Sequence, residues 1–178
     1  VYHIPIEINM IGELKVTLLW KALNDVIQCN EPLRTGLIEK NGILYQIIFE
    51  EIKLNEDIDI VSDRKEYEKL REEAVNQPFD LSNAPLLRIR LFKFENEYRL
   101  LLVFHHIMMD GWSISLFMKE LASAYNGYCK NQASILEMPE LQYADYAAWY
   151  EEWLDDGERD RTKVFWDKMF QDGYEKLE

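Results

Sequence analysis

The sequence has few cysteines, an excess of acidic over basic residues and no long apolar run, and each of these excludes a class of protein. Cys29 and Cys129 are too few and too far apart for a disulfide framework, and no Cys/His spacing indicates a zinc site. The net charge of −13, from 33 acidic and 20 basic residues, opposes binding to nucleic acid. No apolar run approaches the ~20 residues that span a bilayer, and no signal-peptide pattern is present. We therefore predict a cytoplasmic protein that binds neither nucleic acid, membrane nor metal.

The chain does contain enough apolar material for one folded domain. Hydrophobic residues make up 48 % of its 178 residues and aromatic residues 13 %, which is typical of a globular protein with a core. It has no internal repeat and no low-complexity tract. The one linker-like segment is the polar connector at residues 130–139.

The periodicity of apolar residues predicts a mixed sheet with helices packed on it. Every second residue from Ile4 to Met10 is apolar, as in a half-buried strand. Asn41-Gly42 lies between two apolar runs and is the strongest short signal for a β-hairpin. Strands are predicted at 4–10, 36–39, 43–49, 58–61, 86–94 and 98–104, and helices at 13–30, 63–75, 113–128 and in two parts of 143–170.

The most informative stretch is residues 100–113. A strand-like apolar run ends abruptly at His105 and His106, and Asp110-Gly111 precedes an amphipathic helix pattern. Histidine has an ordinary pKa of about 6.5, so a pair of histidines at a strand end can take and return a proton near neutral pH. A histidine in this place is more often a hydrogen-bonded structural residue, and the pair alone leaves both interpretations open.

The order His-His-x-x-x-Asp-Gly is more specific than the histidine pair. It resembles the signature of acyltransferases related to chloramphenicol acetyltransferase, and the following Trp112-Ser113 makes it similar to the condensation domains of nonribosomal peptide synthetases. Three more stretches resemble motifs of that family, in the family order. They are Glu31-Pro32-Leu33-Arg34-Thr35, where Cys29 and Asn30 replace the family's Arg and His; Phe79-Asp80-Leu81 with Pro85-Leu86-Leu87-Arg88; and Tyr143-Ala144-Asp145-Tyr146-Ala147-Ala148-Trp149.

The resemblance implies an α/β (α+β) sandwich like one lobe of chloramphenicol acetyltransferase, with helices packed on a mixed sheet. It further implies that residues 1–178 are a single domain, the N-terminal lobe of a condensation domain, without the family's first helix and C-terminal lobe. Because the family's active site lies in a tunnel between two lobes, the C-terminal lobe is an expected partner. We expect the N-terminal lobe alone to be inactive.

The resemblance also implies a reaction. In the family, the amine of an acceptor aminoacyl thioester attacks the thioester carbonyl of a donor and forms an amide. The chain would thus belong to an amide-forming enzyme of antibiotic biosynthesis, with donor and acceptor peptidyl carrier proteins as partners. No cofactor would bind directly, because each phosphopantetheine arm belongs to a carrier protein. His106 matches the catalytic histidine, and the sequence does not separate a general base from a group that positions the amine.

The other motif residues receive roles by the same resemblance. His105 is expected to support the loop by hydrogen bonding, and Gly111 to leave room for the acceptor arm. Asp110 is expected to fix the loop through an ion pair; Arg34 is the predicted partner, although another arginine could serve. The aromatic residues of 143–149 are expected to bury one helix face. The predicted site is His106, His105, Asp110 and Gly111, with Arg34, Trp112 and Ser113 as structural support.

Alternative functions share part of this pattern. An epimerization domain has the same histidine core but removes an α-proton, and Asp110-Gly111-Trp112-Ser113 looks more like condensation. Heterocyclizing relatives carry aspartates instead of histidines, and a coenzyme-A acyltransferase needs only one histidine. From a different class, a degenerate condensation-like domain would recruit another protein and catalyse nothing. The intact histidine motif favours the enzyme.

Overall fold

The structure is a computed structural model of the chain and describes residues 2–95, 97–133 and 136–173. Within these ranges every predicted strand and helix is present, with ends displaced by at most three residues. The strands are β1 (His3–Ile11), β2 (Thr35–Lys40), β3 (Ile43–Ile48), β4 (Ile58–Ile60), β5 (Leu87–Lys93) and β6 (Glu97–His105). The helices are α1 (Val16–Cys29), α2 (Arg64–Asn76), α3 (Gly111–Cys129), α4 (Tyr143–Trp153) and α5 (Arg159–Met169), with a short 3-10 turn, Glu31–Arg34, after α1.

Local sequence explains where several elements begin and turn. Pro32 lies in the 3-10 turn that follows α1, because a proline cannot continue the helix. Asn41 and Gly42 both have positive φ, 57° and 76°, which is the backbone of the tight turn that joins β2 to β3. The Asp63 carboxylate accepts the Glu66 N–H (2.8 Å) and thereby caps α2.

Four strands form one sheet in the order β1-β6-β5-β4, and β2 and β3 form a separate hairpin. β6 is central and pairs antiparallel with both β1 and β5, whereas β4 runs parallel to β5. In this register His3 lies directly opposite His105, and Leu87 lies opposite Phe104. The histidine pair therefore lies at the C-terminal end of the central strand, which has a strand on each side.

The two faces of the sheet pack on different helices. Alternate residues of a strand point to opposite faces, and those of β6 divide accordingly. Leu100, Leu102 and Phe104 join the larger core with α1 and α3, while Leu101 and Val103 join a smaller core with α2. The predicted mixed sheet with helices packed on it is confirmed.

The chain divides into two compact units, Val1–Pro139 and Glu140–Glu178. The boundary follows the predicted connector at 130–139, of which Ser134 and Ile135 lie outside the described residues. The second unit contains α4 and α5, and neither helix has a buried residue.

The prediction that the 143–149 motif buries one helix face is wrong for the chain as described. Tyr143, Tyr146 and Trp149 are 57 %, 51 % and 56 % exposed. Their rings contact one another and the next turn of α4 instead, with the Tyr146 and Tyr150 centroids 5.8 Å apart in a stacked pair. Helical spacing brings aromatic side chains together along a helix whether or not another element covers them.

Candidate functional site

The predicted histidine loop joins the end of β6 to the start of α3. Backbone hydrogen bonds at the end of the sheet hold the start of this loop. His105 N–H donates to Leu86 O (2.9 Å), and His106 N–H donates to Tyr2 O (2.7 Å). At its other end, Asp110 is the N-cap of α3. The loop backbone is therefore fixed by the sheet on one side and by a helix on the other.

The side chain of His105 lies in a group of three aromatic rings. Its ring centroid is 5.9 Å from that of His3 and 5.9 Å from that of Phe79, and both contacts are edge-on. His3 and Phe79 also meet edge-on, with centroids 5.1 Å apart. We call His3, Phe79 and His105 the ring cluster; it holds His105 half-buried on the sheet face that carries α2.

His105 has a defined tautomer. Ile107 N–H donates to its Nδ1 (3.2 Å), so Nδ1 lacks a proton and the neutral ring carries its proton on Nε2. Burial, and then positive charge on His3 and His106, lowers the pKa of His105 below its ordinary value. Protonation at Nδ1 would also remove the bond from Ile107. This is the hydrogen bond that the predicted supporting role of His105 requires.

His106 lies at the surface, in contrast to its neighbour. Its backbone N–H is engaged by the sheet, while its side chain is exposed. Ile107, Trp112 and Leu116 nearby in the chain are also exposed, at 51 %, 85 % and 47 %. An accessible imidazole on a fixed backbone can accept a proton from an incoming amine or hydrogen-bond to it.

Asp110 uses its carboxylate to begin α3. The Oδ1 atom accepts the Ser113 N–H (2.8 Å) and the Ser113 hydroxyl (2.7 Å). These two hydrogen bonds, the backbone one first, lower the pKa of Asp110, so the carboxylate is ionised at neutral pH. A negative charge at this position also interacts favourably with the helix dipole. Asp110 and its predicted support Ser113 therefore lie together.

Arg34 does not pair with Asp110 in the described chain, which corrects the predicted ion pair. Its Nη1 donates to Phe49 O (2.6 Å), its Nε donates to Gln28 O (3.3 Å), and its Nη2 lies 3.9 Å from the Glu31 carboxylate. Arg34 is only 6 % exposed. Its guanidinium therefore satisfies carbonyl groups between the end of α1 and the end of β3, while the Asp110 carboxylate caps α3.

Gly111 and Trp112 both lie at exposed positions at the start of α3. A Cβ at Gly111 would meet no atom of the described residues within 4 Å, so there is open space beside the loop. Trp112 is 85 % exposed, so its predicted supporting role stays a prediction. A tryptophan on the first turn of a helix is covered only where another element packs over it, and no described element does so here.

Three residues that the sequence did not single out as site residues come close to the loop in the structure. His3 and Phe79 contact His105 directly, and the Arg88 guanidinium lies 4.3 Å above the Phe79 ring. His3 is also anchored, because its Nδ1 lies 2.6 Å from Val75 O. The alternating pattern of the first strand would locate His3 only if its pairing register with the histidine strand were known.

Neither a metal site nor a membrane span is found in the part of the chain that the structure describes. Among those residues, no three His, Cys, Asp or Glu side chains are grouped so that they could hold a metal ion. Each of the described helices is too short or too polar to cross a membrane.

The amino-acid sequence is similar to segments of peptide synthetases. It is 33 % identical over 172 residues to a linear gramicidin synthase of Brevibacillus parabrevis, covering 93 % of this chain and 2 % of that protein. A chondramide synthase of Chondromyces crocatus is 32 % identical over 179 residues, covering 96 % of this chain and 5 % of that protein. A dimodular nonribosomal peptide synthase of Bacillus subtilis (strain 168) is 33 % identical over 184 residues, covering 99 % and 8 %. The chain thus spans less than a tenth of each of these relatives.

Solved structures confirm the predicted fold. The X-domain in its complex with OxyB from teicoplanin biosynthesis matches with a TM-score of 0.84 at 30 % identity, covering 94 % of this chain and 38 % of that one. The condensation domain of the monacolin K polyketide synthase MokA has a TM-score of 0.78 at 26 % identity, covering 95 % and 38 %. The epimerization domain of tyrocidine synthetase B has a TM-score of 0.83 at 18 % identity, covering 99 % of this chain and 41 % of that one. At this identity it shows the fold alone.

These similarities agree with the match to a protein family. The family model described as the condensation domain matches residues 1–178, which is the full length of the sequence. The predicted resemblance rested on four short motifs, and the match extends across the segments between them. The chain belongs to the condensation-domain family.

Proposed function

We propose that the chain is the N-terminal lobe of a condensation domain that forms amide bonds between two carrier-tethered aminoacyl or peptidyl thioesters. The observation that carries the proposal is the contrast within the histidine pair. His105 is neutral, half-buried and held by the Ile107 N–H, while His106 is exposed on a backbone that the sheet fixes. One histidine thus supports the loop and the other faces a substrate.

The reaction places three demands on the protein. The acceptor's amine nitrogen bonds to the donor's carbonyl carbon, the carbon–sulfur bond breaks, and the sulfur and one amine proton leave. The amine must be oriented, the developing oxyanion stabilised and competing water excluded. His106 meets the first demand, either by accepting the amine proton or by hydrogen bonding to the amine. Both phosphopantetheine arms belong to partner carrier proteins.

The neighbours of His106 shape the site without reacting. The space beside Gly111 leaves room for the acceptor arm, and the N-terminus of α3 provides a favourable environment for negative charge. Asp110 keeps the loop and helix joined by capping α3. The chain covers about two fifths of the length of these structural neighbours, and we propose that a C-terminal lobe completes the site. The isolated lobe is then inactive, and a cytoplasmic location fits carrier-dependent synthesis.

Substitution of His106 tests the proposal in the natural protein that carries this chain. With both carrier domains loaded, His106→Ala should lower the rate of amide formation by about 10²–10⁴-fold. Its melting temperature should not change, because the side chain is exposed. Lys119→Ala, an exposed change on α3, is the matched control and should keep full activity. Full activity in His106→Ala would refute the catalytic assignment.

A second variant separates the two possible roles of His106. His106→Gln keeps a side chain that can hydrogen-bond to the amine but cannot take its proton. If His106 is a general base, the Gln variant should be as slow as the Ala variant. If His106 positions the amine, the Gln variant should retain much of the rate. Single-turnover measurement of amide formation distinguishes these outcomes.

Recruitment without catalysis is the second candidate, and the structural neighbours favour including it. One neighbour is an X-domain solved in a complex with OxyB, at 30 % identity to this chain. A recruiting domain would bind its partner protein and consume no thioester.

One assay separates the three functions. Amine-dependent consumption of a carrier-bound thioester supports condensation. Exchange of the substrate's α-proton with deuterated solvent, without amide formation, would indicate epimerization.

A further inference from the structure

His3 occupies a place in the sheet from which it can act on the histidine loop. β1 pairs with β6 so that His3 lies directly opposite His105, and alternate residues of both strands share one face. The two imidazoles meet edge-on with centroids 5.9 Å apart. The contact joins the first strand of the fold to the last residue of the strand that leads into the loop.

The ring of His3 is itself held in place. Its Nδ1 lies 2.6 Å from Val75 O at the end of α2, and because a carbonyl only accepts, Nδ1 donates. Phe79 packs edge-on against the same ring, and Arg88 lies over the face of Phe79. Arg88 in turn donates from Nη1 to Ala74 O (2.6 Å). The ring cluster is thus attached to the C-terminal end of α2 directly through His3 and indirectly through Arg88, which lies over Phe79.

The ring of His105 in turn fixes part of the loop backbone. Its Nδ1 accepts the Ile107 N–H, which fixes the backbone on the far side of His106. The titratable or charged described groups that face His105 are His3 on β1, Tyr2 before it, and His106 in the loop. Arg88 on β5 reaches it only through the Phe79 ring.

We propose that His3 is a positioning residue for the catalytic loop. Its anchored ring edge holds His105 in the tautomer that accepts the Ile107 N–H, and this sets the backbone from which His106 extends. The activity readout rests on the proposed function, whereas the tautomer of His105 does not. The two hypotheses can therefore fail separately.

Nitrogen-15 NMR of the imidazoles tests the positioning directly. The chain has three histidines, so each signal is assigned by one substitution. His3→Ala removes the ring, His3→Asn keeps an amide that can donate to Val75 O, and Asn9→Ala, an exposed change on the same strand, is the control. The native chain and Asn9→Ala should show His105 with its proton on Nε2 alone. Both His3 variants should show a mixture of tautomers.

The titration of His105 gives a second readout. Removing His3 admits water and takes away a neighbouring imidazole that disfavours protonation of His105, so the pKa of His105 should rise towards its ordinary value. In the natural protein, the acid limb of the activity profile should move in the same direction, to higher pH. His3→Asn should recover the melting temperature without recovering the single tautomer, because an amide offers no ring edge.

Several outcomes would overturn the proposal. A single Nε2–H tautomer and an unchanged titration of His105 in His3→Ala would show that His3 does not position it. The same conclusion follows if His3→Asn keeps the native tautomer, or if Asn9→Ala loses it to the same extent at an equal melting temperature. Loss of activity in His3→Ala with an unchanged pH profile would assign His3 to folding alone.

Discussion

The two compact units of the chain use their apolar residues in opposite ways. In Val1–Pro139, the side chains of Leu102 and Phe104 are fully buried between the sheet and its helices. In Glu140–Glu178, the aromatic residues of α4 are about half exposed and contact mainly each other. Both units have apolar residues at three- and four-residue spacing. The difference shows that helical spacing determines which side chains share a face, while a second element determines whether that face becomes core.

Leu102→Ala should have the largest effect, because it removes a fully buried side chain from the larger core. Large-to-small changes of this kind cost roughly 2–5 kcal/mol, through lost burial and the cavity left behind. Chemical denaturation of the variant measures the loss. Leu116→Ala, at a residue 47 % exposed on α3, should cost much less. Equal losses for the two variants would remove the distinction between buried and exposed apolar residues.

Arg34→Met should have the next largest effect, through polar groups of the same unit. The change leaves the carbonyls of Gln28, which is exposed, and Phe49, which is half-buried, without their donor, and a carbonyl that loses its partner away from water costs about 1–3 kcal/mol. Arg34→Lys keeps the charge, but lysine has no guanidinium fork to reach both carbonyls. Its free energy of unfolding should therefore lie between those of the native chain and Arg34→Met. A Met variant as stable as the native chain would mean that packing, not hydrogen bonding, governs this turn.

Glu7→Gln should have a smaller effect that depends on pH. Burial alone would raise the pKa of Glu7, but hydrogen bonds from Tyr67 and Arg71 outweigh it, and the pKa is lower than the ordinary 4.5. A carboxyl group of this kind stabilises the fold above its unfolded pKa and loses that contribution as pH falls through the folded pKa. Glu7→Gln should therefore be less stable near neutral pH.

The difference between native chain and Glu7→Gln should disappear in acid below the folded pKa. Unfolding experiments at several pH values check the slope. Glu72→Gln, an exposed change on α2, serves as control and should change the free energy of unfolding much less than Glu7→Gln does. A constant difference for Glu7→Gln would indicate that the Tyr67 and Arg71 bonds do not favour the ionised carboxylate.

Trp149→Ala should have the smallest effect on stability. The side chain is 56 % exposed, and exposed substitutions usually change the free energy of unfolding by no more than about 0.5 kcal/mol. Thermal unfolding of the variant tests this in the described chain. A loss comparable to that of Leu102→Ala would mean that another element covers α4 in the folded protein and would reverse the comparison of the two units.

The elements could be read from the sequence because their signals are local. The alternation in β1, the Asn41-Gly42 turn and the abrupt end of β6 at His105 each depend on a few neighbouring residues. The histidine loop was found for the same reason, since its strand, motif and helix are contiguous.

The contacts that were missed or wrong depend on residues far apart in the chain. The approach of His3 to His105 depends on strand register, which alternation alone does not give. The partners of Arg34 are carbonyl groups, and every residue supplies one, so a search for an acidic partner selected Asp110 instead. The face of α4 was assigned to a core because helical spacing indicates a face but not its covering.

Gly36 closely approaches Ser82, in the segment that also carries Phe79. A Cβ at position 36 would lie 2.7 Å from Ser82 O, and the next residue, Leu37, donates its N–H to Leu81 O (2.7 Å). The β2–β3 hairpin is thereby fastened to the segment that carries Phe79. Any side chain larger than hydrogen at position 36 would clash with Ser82 O, so the hairpin or this segment would have to shift. The Leu-Arg-Thr-Gly stretch is thus tied to the segment that carries Phe79, whose ring contacts His105.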